Sequence, residues 1–246
     1  MMASPSLLQL VGLLLSSACT PSPPAPSPPA APSPAAAQQP APLPAPESLV
    51  PIAPAELVVT SGSILPSAEA QPSGEGLPFF AIREPTLRAW VGHTPRSAVE
   101  MEFVYRGATA QAAPLASGQL RRQIGVELRA QDSCNVVYVM WHVEPERGIV
   151  VSVKNNPGQS RHAECGDRGY TVLTAEQARP VPPVRKGERH RLAAVVSDRE
   201  LVVSVDQVRI WVGRLPPAAF GFDGPAGIRS DNGQFDVRLR ARRPAL

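Results

Sequence analysis

The sequence predicts an all-β protein: an antiparallel β-sandwich of the jelly-roll type, preceded by an export signal and a proline-rich linker. Two observations predict the sandwich. From residue 99 onwards, short runs rich in Val, Ile and Leu alternate with polar residues, and Gly, Pro, Asn or Asp separate the runs. Helical periodicity is nearly absent, so each run has one face for a core and one for solvent or a ligand.

The N-terminal segment predicts export and lipidation. The apolar run 7–15 is too short to cross a bilayer, and small residues Ser17 and Ala18 precede Cys19. This order resembles a bacterial lipoprotein signal, residues 1–18, in which Cys19 becomes the lipid-bearing N-terminus. An ordinary signal peptide cleaved near Ala18 is the alternative. The predicted location is the bacterial envelope, at the outer membrane or cell surface, with a lipid anchor at Cys19.

Residues 19–76 are predicted to be a disordered linker. From Thr20 to Pro54 about two residues in five are proline, and most of the others are alanine or serine. Such a composition cannot bury a core and favours extended polyproline II. We expect a spacer that holds one folded domain, residues 77–246, away from the membrane.

The predicted domain is basic. All 24 Lys and Arg residues and all but four of the 21 acidic residues lie from Arg83 onwards, which gives this part a formal charge of +7. A basic surface favours acidic polymers. The arginines are scattered along strand-like segments, however, and no nucleic-acid-binding motif is present. The expected partners are therefore a polysaccharide or another envelope component, not nucleic acid.

Three cysteines are present, and lipidation of Cys19 would leave Cys134 and Cys165 as one pair. An exported domain lies where disulfides form and persist, so a Cys134–Cys165 disulfide is the favoured prediction. A zinc site with His162 or His142, or two free thiols, are the alternatives.

The alternating runs predict strands, one hairpin and one helical turn. Asp206 and Gln207 are expected to form the hairpin turn, residues 174–179 the helical turn, and residues 57–59 either an edge strand or more linker. Strands are predicted over residues 99–106, 123–129, 134–143, 149–154, 189–196, 201–206, 208–212 and 234–240.

Three segments resemble the concanavalin A-like lectin and glucanase family. They are the early strand at 99–106, the hairpin with Gly187-Glu188 before it and Val205-Asp206 at its turn, and the closing segment from Gly224 to Val237. Gln207 stands where the family hairpin usually has Gly. The resemblance implies two curved sheets with a concave face, which in relatives binds or cleaves glycans.

The sequence contains no specific motif that would identify catalytic residues. Glu100, Glu102 and Glu127 are the candidate carboxylates for a glycoside hydrolase, which needs a pair about 5 Å or 6.5–9.5 Å apart. The family's glucanase branch typically carries a Glu-x-Asp-x-x-Glu run, which is absent here. A solvated outer strand face is the favoured alternative for Glu100 and Glu102.

The predicted ligand surface is the non-core face of three consecutive strands. A sugar site needs an aromatic platform and planar polar groups, which Tyr138 and its neighbours on this face can supply. The predicted ligand-binding residues are Gln123, Glu127, Arg129, Tyr138, His142 and Lys154, with Met140 and Ser152 on the same face.

The sequence also allows two other positions for the ligand site. The opposite face with Trp141 as platform is the alternative surface, and the polar loop 154–170 is a second candidate site. Asp231 and Asn232 are expected to form a turn rather than a calcium site. No metal and no cofactor are predicted.

These observations together predict a lipid-anchored envelope protein whose sandwich binds a glycan without catalysis. A glycoside hydrolase or lyase of the same fold is one alternative. A structural lipoprotein whose sheet face binds another envelope protein is the other.

Overall fold

The computed structural model describes residues 49–68 and 78–243. Sixteen strands make up most of this part: β1 Leu49–Ile52, β2 Leu57–Ser61, β3 Leu65–Pro66, β4 Phe80–Ile82, β5 Thr86–Val91, β6 Ala98–Ala108, β7 Arg122–Leu128, β8 Val136–Glu144, β9 Gly148–Lys154, β10 Tyr170–Val172, β11 Gln177–Ala178, β12 Arg189–Ser197, β13 Glu200–Val205, β14 Val208–Arg214, β15 Gly227–Asp231 and β16 Gly233–Arg242. The helical elements are one short α-helix, α1 His162–Cys165, and two 3-10 turns, Pro54–Glu56 and Pro217–Phe220.

The predicted signal 1–18, the lipidation site Cys19 and the first part of the linker lie outside the described residues. None of the helices in residues 49–68 and 78–243 has the length and hydrophobicity of a transmembrane span.

The strands form two antiparallel sheets. Sheet A has the order β11-β14-β13-β12-β6-β16-β4-β3, with β1 also paired to β16. Sheet B has the order β10-β9-β8-β7-β15-β5-β2. The neighbours β7-β15-β5 are far apart in the chain, so the sheets form by crossovers rather than by successive hairpins alone. The all-β sandwich prediction is confirmed.

One hydrophobic core lies between the sheets. It takes alternate residues from both, such as Met101 and Leu239 of sheet A and Ile124 and Val139 of sheet B, all 2% exposed or less. The ring of Phe103 in sheet A meets Trp141 in sheet B edge to face, with centroids 5.5 Å apart. Trp141 is therefore a core residue, and the non-core face of sheet B carries Tyr138, as predicted.

The predicted hairpin is present, with Val205 paired to Val208. Asp206 and Gln207 both have left-handed φ angles, of 49° and 69°. A two-residue turn with two positive φ angles matches the twist of the flanking strands, which is why Gly or Asn usually stands there. Gln207 therefore adopts a conformation that Gly would adopt at lower cost.

Two expectations from the sequence are wrong. Residues 174–179 form no helical turn: Gln177–Ala178 is an edge strand that pairs with β14, because Pro180 follows and sheet A offers unpaired backbone. The predicted C-terminal boundary of the linker 19–76 is also wrong, because the linker ends earlier. β1 pairs with β16, and β2 pairs with β5, so the sandwich already includes residues from Leu49 onwards.

The predicted disulfide is confirmed: Cys134 and Cys165 are bridged, with Cα atoms 5.9 Å apart. Cys134 lies just before β8, and Cys165 ends the helix α1. The bridge therefore fastens the 154–170 loop against the non-core face of sheet B.

Candidate functional site

A cleft of about 530 Å³ lies on the non-core face of sheet B. Strands β5, β7, β8, β9, β10 and β15 form its floor and one wall. Residues 114–117, Arg121, His162 and Asp167 from two loops form its rim. We refer to this surface as the cleft face.

Pairing register places the side chains of the cleft face in rows across the strands. One row runs from His142 through Gln123 and Asp231 to Thr86. The next runs from Met140 through Gly125 and Arg229 to Arg88. The third contains Ser152, Tyr138, Glu127, Gly227 and Trp90. Polar groups from five strands therefore meet in one area.

Two arginines lie side by side in the middle row. Arg88 on β5 is the direct cross-strand partner of Arg229 on β15. Arg229 is 7% exposed and is paired with Asp231 at 2.8 Å. Burial works against its charge, but Asp231 and the tyrosines Tyr138 and Tyr170 raise the pKa of Arg229 well above its ordinary value.

Arg88 has no such partner. It is partly exposed and lines the cleft, and within the described residues its side chain makes no hydrogen bond or ion pair. Like charges directly opposite each other in a sheet are destabilising. Asp231 therefore neutralises the charge of Arg229, whereas the guanidinium of Arg88 is open to the cleft.

The aromatic groups of the site form a stack rather than an open platform at Tyr138. Tyr138 is only 2% exposed, whereas Tyr170, stacked on it with centroids 5.9 Å apart, is 40% exposed. The guanidinium of Arg229 lies 5.0 Å from the centre of the Tyr138 ring. Tyr170 is thus the aromatic ring that a ligand in the cleft can reach.

The row next to the arginines holds planar polar groups. Gln123 donates from Nε2 to Asp231 Oδ2 at 2.6 Å, and its buried Oε1 has no partner. An Arg121 guanidinium nitrogen lies 3.4 Å from His142 Nε2. Burial, together with Arg121 and Arg229, lowers the pKa of His142 to about 4. His142 is therefore neutral near pH 7, and its Nε2 accepts from Arg121.

Lys154 supports the loop over the cleft instead of facing a ligand. The side chain is 1% exposed, and Nζ donates to Ser133 O at 3.1 Å and to Gly166 O at 2.7 Å. Each acceptor is the neighbour of a disulfide cysteine. The ammonium also lies 5.2 Å from the centre of the Tyr170 ring. Lys154 and the disulfide together hold Tyr170 in place.

Glu127 lies next to Tyr138 on the cleft face, as its cross-strand partner, and it is 2% exposed. Trp90 donates from Nε1 to its Oε2 at 2.8 Å. Burial raises the pKa of Glu127 to about 7, against the opposing effect of Arg88. Glu127 is thus a buried residue that stabilises the cleft face through its hydrogen bond with Trp90.

Arg129, also predicted to bind ligand, lies elsewhere. It has a left-handed φ of 54° at the end of β7. Its side chain donates to Ala219 O at 2.9 Å and to Phe222 O at 2.7 Å. Arg129 therefore fixes the loop after β14 and does not line the cleft.

The candidate carboxylates are not brought together. Glu100 and Glu102 lie on the outer face of sheet A, whereas Glu127 lies on the cleft face of sheet B. Glu102 is 6% exposed and accepts from Arg189, Arg191 and Arg238 at 2.9–3.1 Å. Burial alone would raise the pKa of Glu102, but the hydrogen bonds from Arg238 and Arg191 lower it. Glu102 is therefore the central carboxylate of an ion-pair cluster, and the arginines around it neutralise its charge.

The sequence predicted Gln123, Tyr138, His142 and Lys154 in one site but missed Arg88, Arg121 and Arg229. Tyr170 was included only as the end of the second candidate site, the loop 154–170, which lines the same cleft. A signal was available for Arg88, because Leu87, Ala89 and Val91 alternate with polar neighbours as in a strand with one buried face. Asp231 ends β15 in the cleft, and Asn232, with φ of 58°, forms the predicted turn.

Comparison with known proteins shows the fold. No family model and no curated protein matches the sequence. Among solved structures, the chain is similar to a carbohydrate-binding module, CBM66, from Bacillus subtilis, with a TM-score of 0.50, 8% identity, and coverage of 74% of this chain and 91% of the module.

Two further similar structures are a carbohydrate recognition domain and a galectin. One is the Emp47p carbohydrate recognition domain, with a TM-score of 0.44, 13% identity and coverage of 78% and 90%. The other is a galectin, LEC-6, from Caenorhabditis elegans, with a TM-score of 0.39, 10% identity and coverage of 65% and 91%. The described part of the chain has the concanavalin A-like jelly-roll fold of lectins and glucanases.

Proposed function

We propose that the protein is a lipid-anchored envelope lipoprotein whose cleft face binds a glycan without catalysis. The observation that carries the proposal is the cleft itself. It combines an exposed ring, Tyr170, with planar hydrogen-bonding groups at Gln123, Arg88 and Arg121 in one polar site. Aromatic rings pack on the apolar faces of sugars, and planar groups bond pairs of hydroxyls.

Among the described residues, no two unpaired carboxylates line the cleft, which supports binding over hydrolysis. Asp167 and Asp231 are the carboxylates that line the cleft among the described residues. Asp231 is occupied by Arg229 and Gln123, and Asp167 lies on the exposed loop. A hydrolase would need two carboxylates facing each other across the bond to be cleaved.

Affinity electrophoresis tests the binding function. The full chain, in a mild non-ionic detergent, is run through native gels that contain neutral or acidic polysaccharides. We expect retardation by at least one polymer, without release of shorter products on prolonged incubation. Migration unchanged in every gel would contradict glycan binding, and release of oligosaccharides would favour a hydrolase or lyase.

The proposed anchor has its own test. Cys19→Ala should remove the lipid attachment site and release the exported protein from membranes. Metabolic labelling with a fatty-acid analogue, followed by membrane fractionation, compares it with Cys134→Ala/Cys165→Ala. Membrane association that survives in Cys19→Ala would contradict the anchor.

A further inference from the structure

We infer that the glycan bound in the cleft is acidic, and that Arg88 contacts its carboxylate or sulfate group. This inference rests on the proposed function and names the chemical class of its ligand. It is carried by the unequal state of the two neighbouring arginines.

Arg229 has little hydrogen-bonding capacity left for a ligand. Its Nε and one terminal nitrogen face Asp231 at 2.8 and 3.5 Å, and the other terminal nitrogen lies 3.5 Å from the Tyr170 hydroxyl. Its side chain is buried, so it acts as fixed positive charge beneath the cleft. Arg229 positions Tyr170 and makes the electrostatic potential in the cleft more positive.

Arg88 has the opposite properties. It is partly exposed at the cleft, next to Arg229, and its guanidinium makes no hydrogen bond or ion pair to the described residues. A guanidinium has five donors in a planar fork that matches carboxylate and other oxyanions. An anion seated there would gain hydrogen bonds and would relieve the repulsion between the two arginines.

The remaining charges of the cleft agree with this assignment. Arg121 lies on the rim, and Lys154 lies beneath Tyr170. Against them stand Asp231, which is already paired with Arg229, the exposed Asp167, and the buried Glu127, whose pKa burial raises to about 7 against the opposing charge of Arg88. Burial and the positive charges of Arg88, Lys154 and Arg229 also lower the pKa of His162 on the rim. The cleft is a region of positive potential with one open guanidinium.

Polymers that differ only in charge provide the test. The full chain is titrated at 0.15 M salt with polygalacturonate and its carboxyl-reduced form, and with dextran sulfate and dextran. Arg88→Gln is compared with Arg240→Gln, which removes the same charge from a partly exposed position on the outer face of sheet A.

We expect binding of one acidic polymer, at least tenfold weaker binding of its neutral counterpart, and a loss of at least tenfold in Arg88→Gln against less than twofold in Arg240→Gln. Which acidic polymer binds identifies the charged group. Equal binding of neutral and acidic forms, lost in Tyr170→Ala, would overturn the acidic ligand but leave the glycan-binding function intact. Equal losses in both arginine variants would overturn Arg88 as the contact. No binding to any polymer would contradict both proposals.

Discussion

The indole Nε1 of Trp90 donates a 2.8 Å hydrogen bond to Glu127 Oε2 across the intervening strand β15. Between them β15 carries Gly227, where a Cβ atom would lie 2.6 Å from Ala89 O and 2.7 Å from Trp90 Cδ1. The absence of a side chain at Gly227 therefore allows the two groups to meet over the strand. The bond satisfies a buried indole and one oxygen of a buried carboxyl next to the cleft.

Glu127→Gln should change how stability depends on pH. The pKa of Glu127 is raised to about 7 in the folded state, above its value of 4.5 in a free chain, because the group is buried. Its contribution to stability is therefore complete below pH 4.5 and is lost as the pH rises through 7. Because the variant does not titrate here, its stability relative to wild type should rise by about 2–3 kcal/mol from pH 5 to pH 8.

Urea unfolding at the two pH values measures this difference. Glu146→Gln, at an exposed position, is the control and should follow wild type. Parallel pH profiles for wild type and Glu127→Gln would show that the buried carboxyl does not titrate in this range.

Cys134→Ala/Cys165→Ala should lower the free energy of unfolding by about 3.5 kcal/mol, since the bridge closes a loop of about 31 residues. The acceptors of Lys154 lie next to both cysteines, so the loop that carries Tyr170 should also loosen. Urea unfolding measures the first effect, and hydrogen exchange at residues 160–172 measures the second. Equal stability of the wild type with and without reductant would contradict this role.

Glu102→Gln should destabilise the fold without affecting glycan binding. The change removes the charge on which Arg189, Arg191 and Arg238 converge, at a cost of about 2–3 kcal/mol. Thermal unfolding and gel retardation are measured on the same variant. Loss of binding in a variant that still folds would place a ligand on sheet A instead of on the cleft face.

Tyr170→Ala should weaken glycan binding about 5- to 30-fold, since an exposed ring that stacks on a sugar contributes on the order of 1–2 kcal/mol. Its side chain is 40% exposed, so we expect a small change in stability. Tyr170→Phe keeps the ring and should bind within about threefold of wild type. Val208→Ala, at an exposed position in sheet A away from the cleft, is the control. Equal binding by Tyr170→Ala and wild type would exclude Tyr170 as the platform.

The fold could be predicted from the sequence because alternation marks the core face of each long strand. Strands β6, β8 and β16 lie where the pattern placed them, and the two cysteines are bridged. The six-residue strand β5 was missed although its residues alternate, and the short strands β1, β3, β4, β10 and β11 were not predicted, since two to four residues carry little periodicity. The short strands form because the sheets offer unpaired edges.

The site could be predicted only in part, for a topological reason. Gln123, Tyr138 and His142 lie on consecutive strands, so their common face followed from alternation. Arg88 and Arg229 come from β5 and β15, which join the sheet through crossovers that periodicity does not reveal. The burial of Tyr138 likewise depends on Tyr170, which the disulfide-bonded loop brings over it from 32 residues away in sequence.

Hydrogen–deuterium exchange of the full chain, with and without the polysaccharide that retards it most, tests the central claim most directly. We expect protection confined to the cleft face, in residues 86–90, 121–125, 138–142 and 170–172. The outer face of sheet A, residues 100–104 and 189–193, should exchange as before. Protection of sheet A with an unchanged cleft face would contradict the assignment of the glycan site.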